Sequence, residues 1–148
     1  MKKLITTLLA LCLTTTASFS DVKLGIIIGF TGPIESLTPD MAAGAELAID
    51  EVNKSGSFSM GKVSGIRADS TCIDSSAATA AAERLITSDK VNGIMGADCS
   101  GVTTAILQQV ALANGMVMVS PSATSPALST VEDNNLSLIH ISEPTRLQ

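Results

Sequence analysis

Short apolar runs alternate along the chain with stretches whose apolar residues recur every three or four positions. Val22 to Phe30 (Val-Lys-Leu-Gly-Ile-Ile-Ile-Gly-Phe) is nearly continuous, as expected of a strand covered on both faces. Thr31-Gly32-Pro33 breaks it. Thr38 followed by Pro39 predicts a helix cap and a first-turn proline. The helix, running to about Asn53, would set Met41, Ala45, Ala48 and Val52 on one face and turn Glu46, Asp50 and Glu51 away. Asn53-Lys54-Ser55-Gly56 closes it. Lys62 to Ala68 predicts a less apolar strand, suited to a sheet edge. Asp74-Ser75-Ser76 caps an alanine-rich helix in which Ala78, Ala82 and Leu85 share a face. Val91 to Ala97 and Met116 to Ser120 predict two more short strands, separated by a helix from Gly101 to Asn114. Ser125-Pro126 repeats the pattern of cap and first-turn proline.

Strand and helix alternate with short connections, which predicts an α/β fold: a three-layer parallel sheet with helices on both faces and right-handed crossovers. Ligands of such sheets bind at the carboxyl ends of the strands, near the switch in strand order. Three loops of small and polar residues fall there: Thr31-Gly32-Pro33, Cys99-Ser100-Gly101 and Ser122-Ala123-Thr124. The turn from Gly96 to Gly101 hands a strand to a helix. Its first N–H groups have no partner within the helix, and the positive end of the helix dipole favours an anion such as a carboxylate. Ser100 is therefore either half of a small-molecule cradle, completed by Ser120 to Thr124, or a cap for its own helix.

Both ends are set aside before fold reasoning. Residues 1–20 combine a basic start (Lys2-Lys3), an apolar run from Leu4 to Leu13 and small residues before Asp21. That is the pattern of a secretory signal peptide cleaved after Ser20; the alternative, an uncleaved membrane anchor, is short for a span. Residues 136–148 resemble the translated end of a transposon adapter used to prepare sequencing libraries, the alternative being a genuine amphipathic strand and tail. On the adapter reading the only histidine, His140, carries no chemistry, and the protein proper occupies residues 21–135.

Composition narrows the class. The whole chain has net charge −5, and residues 21–135 carry six basic against thirteen acidic side chains. With no basic patch, no Trp and no Tyr, nucleic acid is not an expected partner. Cys72 and Cys99 remain after processing. Each follows a predicted strand at the same end of the sheet, which suits a disulfide in an exported protein, with free buried thiols as the alternative. Asp69, Asp74 and Asp98 read as a strand-end acid, a helix cap and a solvated loop acid rather than a metal site. No nucleophile–His–Asp set and no phosphate-binding glycine loop is present, so neither an enzyme nor a cofactor is expected.

Several stretches, taken in order, match a family. They are Thr31-Gly32-Pro33, Gly44-Ala45-Glu46-Leu47-Ala48-Ile49, Cys72 before Asp74, Gly96 to Gly101, and Ser120-Pro121-Ser122-Ala123-Thr124-Ser125-Pro126. The chain resembles the periplasmic solute-binding proteins that feed branched-chain amino acid ABC transporters, of the type I periplasmic binding fold. The resemblance implies that Ser100, with Gly101 beside it, and Thr124, after Ala123, offer hydroxyls and N–H groups to a ligand carboxylate. It implies a backbone carbonyl from Ser122 for the ligand ammonium, and a bridge between Cys72 and Cys99. After Pro33 the sequence departs from the family: Ile34-Glu35-Ser36-Leu37 stands where many members place an aromatic near the ligand side chain, Leu37 being the nearest equivalent.

The resemblance further implies two lobes joined by a hinge, of which residues 21–135 cover only part of the first. The expected protein is a monomeric periplasmic receptor that holds an amino acid or related amide between its lobes and presents the closed form to a membrane permease. A ligand-sensing domain of the same fold is the alternative. In this fragment the strand from Met116 is expected to be left at a raw edge.

Overall fold

The computed structural model describes residues 20–139, and these form a five-stranded, wholly parallel sheet. The strands are β1 (Val22–Ile28), β2 (Val63–Asp69), β3 (Gly93–Gly96), β4 (Met118–Val119) and β5 (Ser137–Leu138), in the order β2-β1-β3-β4-β5. The chain steps from β1 to β2 in one direction, then returns past β1 to build β3, β4 and β5 in the other. The strand order therefore switches between β1 and β3, which puts their carboxyl ends where a ligand crevice forms in such sheets.

Three α-helices, α1 (Thr38–Ser55), α2 (Ser75–Thr87) and α3 (Ser100–Ile106), connect β1 to β4 among the described residues, and a short 3-10 turn, Pro126–Ser129, lies between β4 and β5. α3 continues without a break through π-helical Leu107–Ala111 and a closing turn, Leu112–Asn114. Right-handed crossovers put α2 and α3 on one face of the sheet and α1 on the other. The α2/α3 side is the larger core. Ala78, Ala82 and Leu85 of α2 meet Ile27 and Ile94 of the sheet, with Val102, Ile106 and Val110 from the α3 side and Met118 of β4. The smaller core gathers Ile26, Ile28 and Ala42, with Phe30, Met41, Ala45, Ile49 and Met95 packed against them.

The ends of α1 and α2 follow the local sequence. Asp74 caps α2, accepting the N–H groups of Ser76 and Ala77, and Gly56 closes α1 in the left-handed conformation. Thr38 departs from expectation. It is the first residue of α1 rather than its cap, fully buried, with its hydroxyl donating to the Gly29 carbonyl at 2.9 Å. With the cap position taken by Leu37, the Thr38 hydroxyl donates to the carbonyl just past β1 and so pins α1 to the sheet.

The predicted apolar face of α1 turns toward the sheet, with Met41 and Ala45 packed on the smaller core, and the buried stripe widens to take in Thr38, Ala42 and Ile49. Thr38 and Ala42 are buried and Ala45 and Ile49 partly so, whereas Ala48 and Val52 face an open apolar groove of about 480 Å³. Val22, Leu24, Phe58 and Val63 also line that groove, over the first half of β1. A parallel sheet ordinarily has helices on both faces. Among the described residues α1 is the one helix on its side, and Val117 and Val119 stay about half exposed. On the outer rim, Arg67 of β2 grips the Glu46 carboxylate with two hydrogen bonds, 2.7 and 2.8 Å, while lying over the Phe30 ring.

β4 does not end the sheet. Ser137–Leu138 pairs with it, with the Ser120 N–H on the Leu138 carbonyl at 2.8 Å, so the predicted raw edge at Met116 is corrected. β5 lies in the stretch that the sequence reading set aside; a free parallel edge has N–H and C=O groups for any apolar segment in reach. All but the last residue of the expected signal peptide (residues 1–20) and His140 lie outside the described residues. Among the described residues no helix is long and apolar enough to cross a membrane.

Candidate functional site

The loops at the carboxyl ends of β1, β2, β3 and β4 are tied together by a small set of polar contacts. β3 ends at Gly96, with φ +134°, where a Cβ would lie 1.9 Å from the Ile27 carbonyl oxygen. Only glycine lets the β3 backbone come this close to β1. The next carbonyl, Ala97, accepts the hydroxyls of both Thr103 and Ser120, which fixes the end of β3 to α3 and to the loop after β4.

Ser100 does not cap its own helix. The N-cap is Cys99, without a side-chain cap bond, and Ser100 is the first helical residue. Its hydroxyl oxygen instead crosses to the loop after β4 and accepts the backbone N–H groups of Thr124 and Ser125, both at 3.2 Å. With both lone pairs engaged, the Ser100 proton is left to donate outward. The first bond within the helix is Thr103 N–H to the Cys99 carbonyl, so the N–H groups of Ser100, Gly101 and Val102 have no intrahelical acceptor. A Cβ on exposed Gly101 would meet nothing within 4 Å, so the helix N-terminus opens onto free space.

The remaining sequence-predicted residues divide. Ser122 is held at the same place, its hydroxyl donating to the Asp98 carbonyl at 2.9 Å. Ala123 is fully buried and its N–H is taken by the Ser120 hydroxyl, so its side chain anchors the loop. Thr124 is exposed; its N–H, expected on a ligand, is committed to Ser100. Leu37 stands apart, 62% exposed just before α1, with its N–H on the Ile34 carbonyl. Among the described residues no hydrogen bond joins it to the Ser100 loop.

Cys72 and Cys99 form a disulfide, their Cα atoms 5.2 Å apart, linking the loops after β2 and β3. Asp69, at the end of β2, accepts the Thr31 hydroxyl at 2.6 Å and the Thr71 N–H at 2.8 Å. Burial pushes its pKa up, but the Thr31 hydroxyl and the N–H groups of Thr71, Thr31 and Phe30 outweigh this and hold it below the ordinary value.

Asp98 departs from the expected solvated loop acid. It is 3% exposed, not solvated, and accepts the Gly29 N–H at 2.9 Å, the Ser70 hydroxyl at 3.1 Å and the Cys99 N–H at 3.1 Å. Ser125, whose N–H meets Ser100, was also missed. The available hint for Asp98 was its place directly after an apolar strand. The donors it meets come from 28 and 69 residues upstream, where no local pattern reveals them.

A family model for periplasmic binding proteins matches residues 21–144. A Leu/Ile/Val-binding protein of Rhizobium johnstonii is 31% identical over 129 residues, covering 87% of this chain and 34% of that protein. The branched-chain amino acid transporter substrate-binding protein of Streptococcus pneumoniae, solved with isoleucine, superposes with a TM-score of 0.72 at 26% identity, covering 81% of this chain and 33% of that one. A putative branched-chain amino acid ABC transporter protein of Rhodospirillum rubrum shares the fold, with a TM-score of 0.73 at 24% identity over 83% of this chain. The chain thus spans about a third of the length of these relatives. Sequence and fold agree: the chain belongs to the periplasmic binding protein family.

Proposed function

We propose that this chain supplies part of the first lobe of an exported solute-binding protein that captures a branched-chain-like amino acid, or a related small zwitterion or amide, for an ABC transporter. The observation that carries this reading is the joint between Ser100 and the Thr124 loop, beside the open N-terminus of α3. The Ser100 hydroxyl, the Gly101 N–H and the Thr124 hydroxyl would hold the ligand carboxylate. The Ser122 carbonyl would take the ammonium, and Leu37 would flank the ligand side chain. The relatives' names support the ligand class.

Binding without reaction follows from this chemistry, because the site has donors and carbonyls but no nucleophile paired with a base. The rest of the reading is export by residues 1–20, a periplasmic location, a second lobe closing over the ligand and a monomer that docks on a membrane permease. Calorimetry on the full-length product of the gene tests it, with L-leucine, L-isoleucine, L-valine and a neutral amide such as acetamide. Saturable heat with at least one of them is expected; no heat with any would overturn the reading.

A further inference from the structure

We propose that Asp98 is a positioning residue for the ligand loops, retained at a cost in stability because it sets the spacing of four loops at once. The proposal deepens the site reading above and rests on it. The carboxylate accepts from Gly29 after β1 and Ser70 after β2, and the backbone carbonyl of the same residue accepts from Ser122 after β4. Asp98 itself follows β3, directly before Cys99 and Ser100. One residue thus links the carboxyl ends of β1 to β4 by hydrogen bonds.

Its cost is that of a buried charge. Asp98 is 3% exposed, and among the described residues none of its hydrogen-bond partners is a cation. A carboxylate held only by neutral donors loses much of its hydration without full compensation, whereas an apolar or neutral side chain of similar size would not. Its negative charge next to the first turn of α3 recovers part of that cost. Fit around it is tight: a Cβ on Gly29 would lie 3.4 Å from the Asp98 carboxylate and 3.3 Å from the Cys72 Cβ. The loop from Gly29 to Leu37 therefore takes its position from this carboxylate and the Thr31–Asp69 pair, together with the Thr38 hydroxyl on the Gly29 carbonyl and the packing of Phe30.

Asp98→Asn tests this. The amide keeps one acceptor for Ser70 and Cys99 but turns an N–H₂ donor, or a weaker acceptor, toward the Gly29 N–H. Amide hydrogen exchange on the full chain without ligand should become about ten-fold faster in residues 29–37, while residues 122–125, held by the Asp98 backbone carbonyl that asparagine keeps, and the β1 and α2 cores keep their protection. In the full-length product, affinity for L-leucine should fall about ten-fold with no loss in the ligand-free unfolding midpoint. If Asp98→Asn does not fold, Ser70→Ala and Ser122→Ala, read by the same exchange experiment, should each loosen the loop they hold.

Unchanged exchange in residues 29–37 would overturn the proposal. So would a uniform loss of protection across the core, which marks a purely structural residue. Faster loop exchange in a protein that binds no amino acid would support the positioning role and count against the ligand reading alone.

Discussion

Ser100 holds Thr124. The hydroxyl oxygen of Ser100 accepts the Thr124 N–H at 3.2 Å across 24 residues of sequence and accepts Ser125 beside it. That joint turns two separate loops into one surface, with a hydroxyl proton and free helix N–H groups at its centre. A serine that capped its own helix would have left the second loop to find its position by other means.

The Cys72–Cys99 disulfide closes a loop of 27 residues, and removing such a link costs about 3–4 kcal/mol through the unfolded chain's extra freedom. Cys72→Ser with Cys99→Ser should therefore lower the urea midpoint substantially. Reductant should lower the wild-type midpoint and leave the double variant unchanged. Equal midpoints with and without reductant in wild-type protein from an exporting host would contradict the bridge.

Asp69 makes the loop after β1 sensitive to acid. Its folded pKa lies below the ordinary value, so the stability it contributes is complete above the ordinary carboxylate pKa and is lost as pH falls through the lowered one. Asp69→Asn should unfold at a lower temperature than wild type at pH 7, and the gap should close as pH drops below about 4. A gap independent of pH would show that the charge is not what matters.

Exposed apolar surface predicts self-association. Ala48, Val52, Val22 and Leu24 line an open groove on the α1 side, and Val119, at 46% exposure, adds to that uncovered face of the sheet. The isolated chain should sediment as oligomers at tens of micromolar (about 10–100 µM), and Val52→Lys with Val119→Lys should shift it toward monomer. A wild-type chain that stays monomeric under those conditions would contradict this.

The parallel architecture was legible because β1 is nearly all apolar and because Asp74 and Gly56 sit where helix ends require them. The candidate loops were legible because small polar residues cluster directly after the strands. Three features were not. The burial of Thr38 goes with its hydroxyl reaching the Gly29 carbonyl, a tertiary contact that periodicity does not encode. The burial of Asp98 depends on donors supplied by β1 and β2. The covered edge of β4 depends on Ser137–Leu138, in a stretch whose resemblance to an adapter sequence outweighs its amphipathic pattern.

The most direct test of the ligand reading is a calorimetric titration of L-isoleucine into the full-length protein and its Ser100→Ala variant. A hydrogen bond to a charged group is worth about 1.5–3 kcal/mol, so the variant should bind about 10- to 150-fold more weakly, with loosening of the Thr124 loop adding to the loss. Equal affinity in the two proteins would contradict a site built on Ser100.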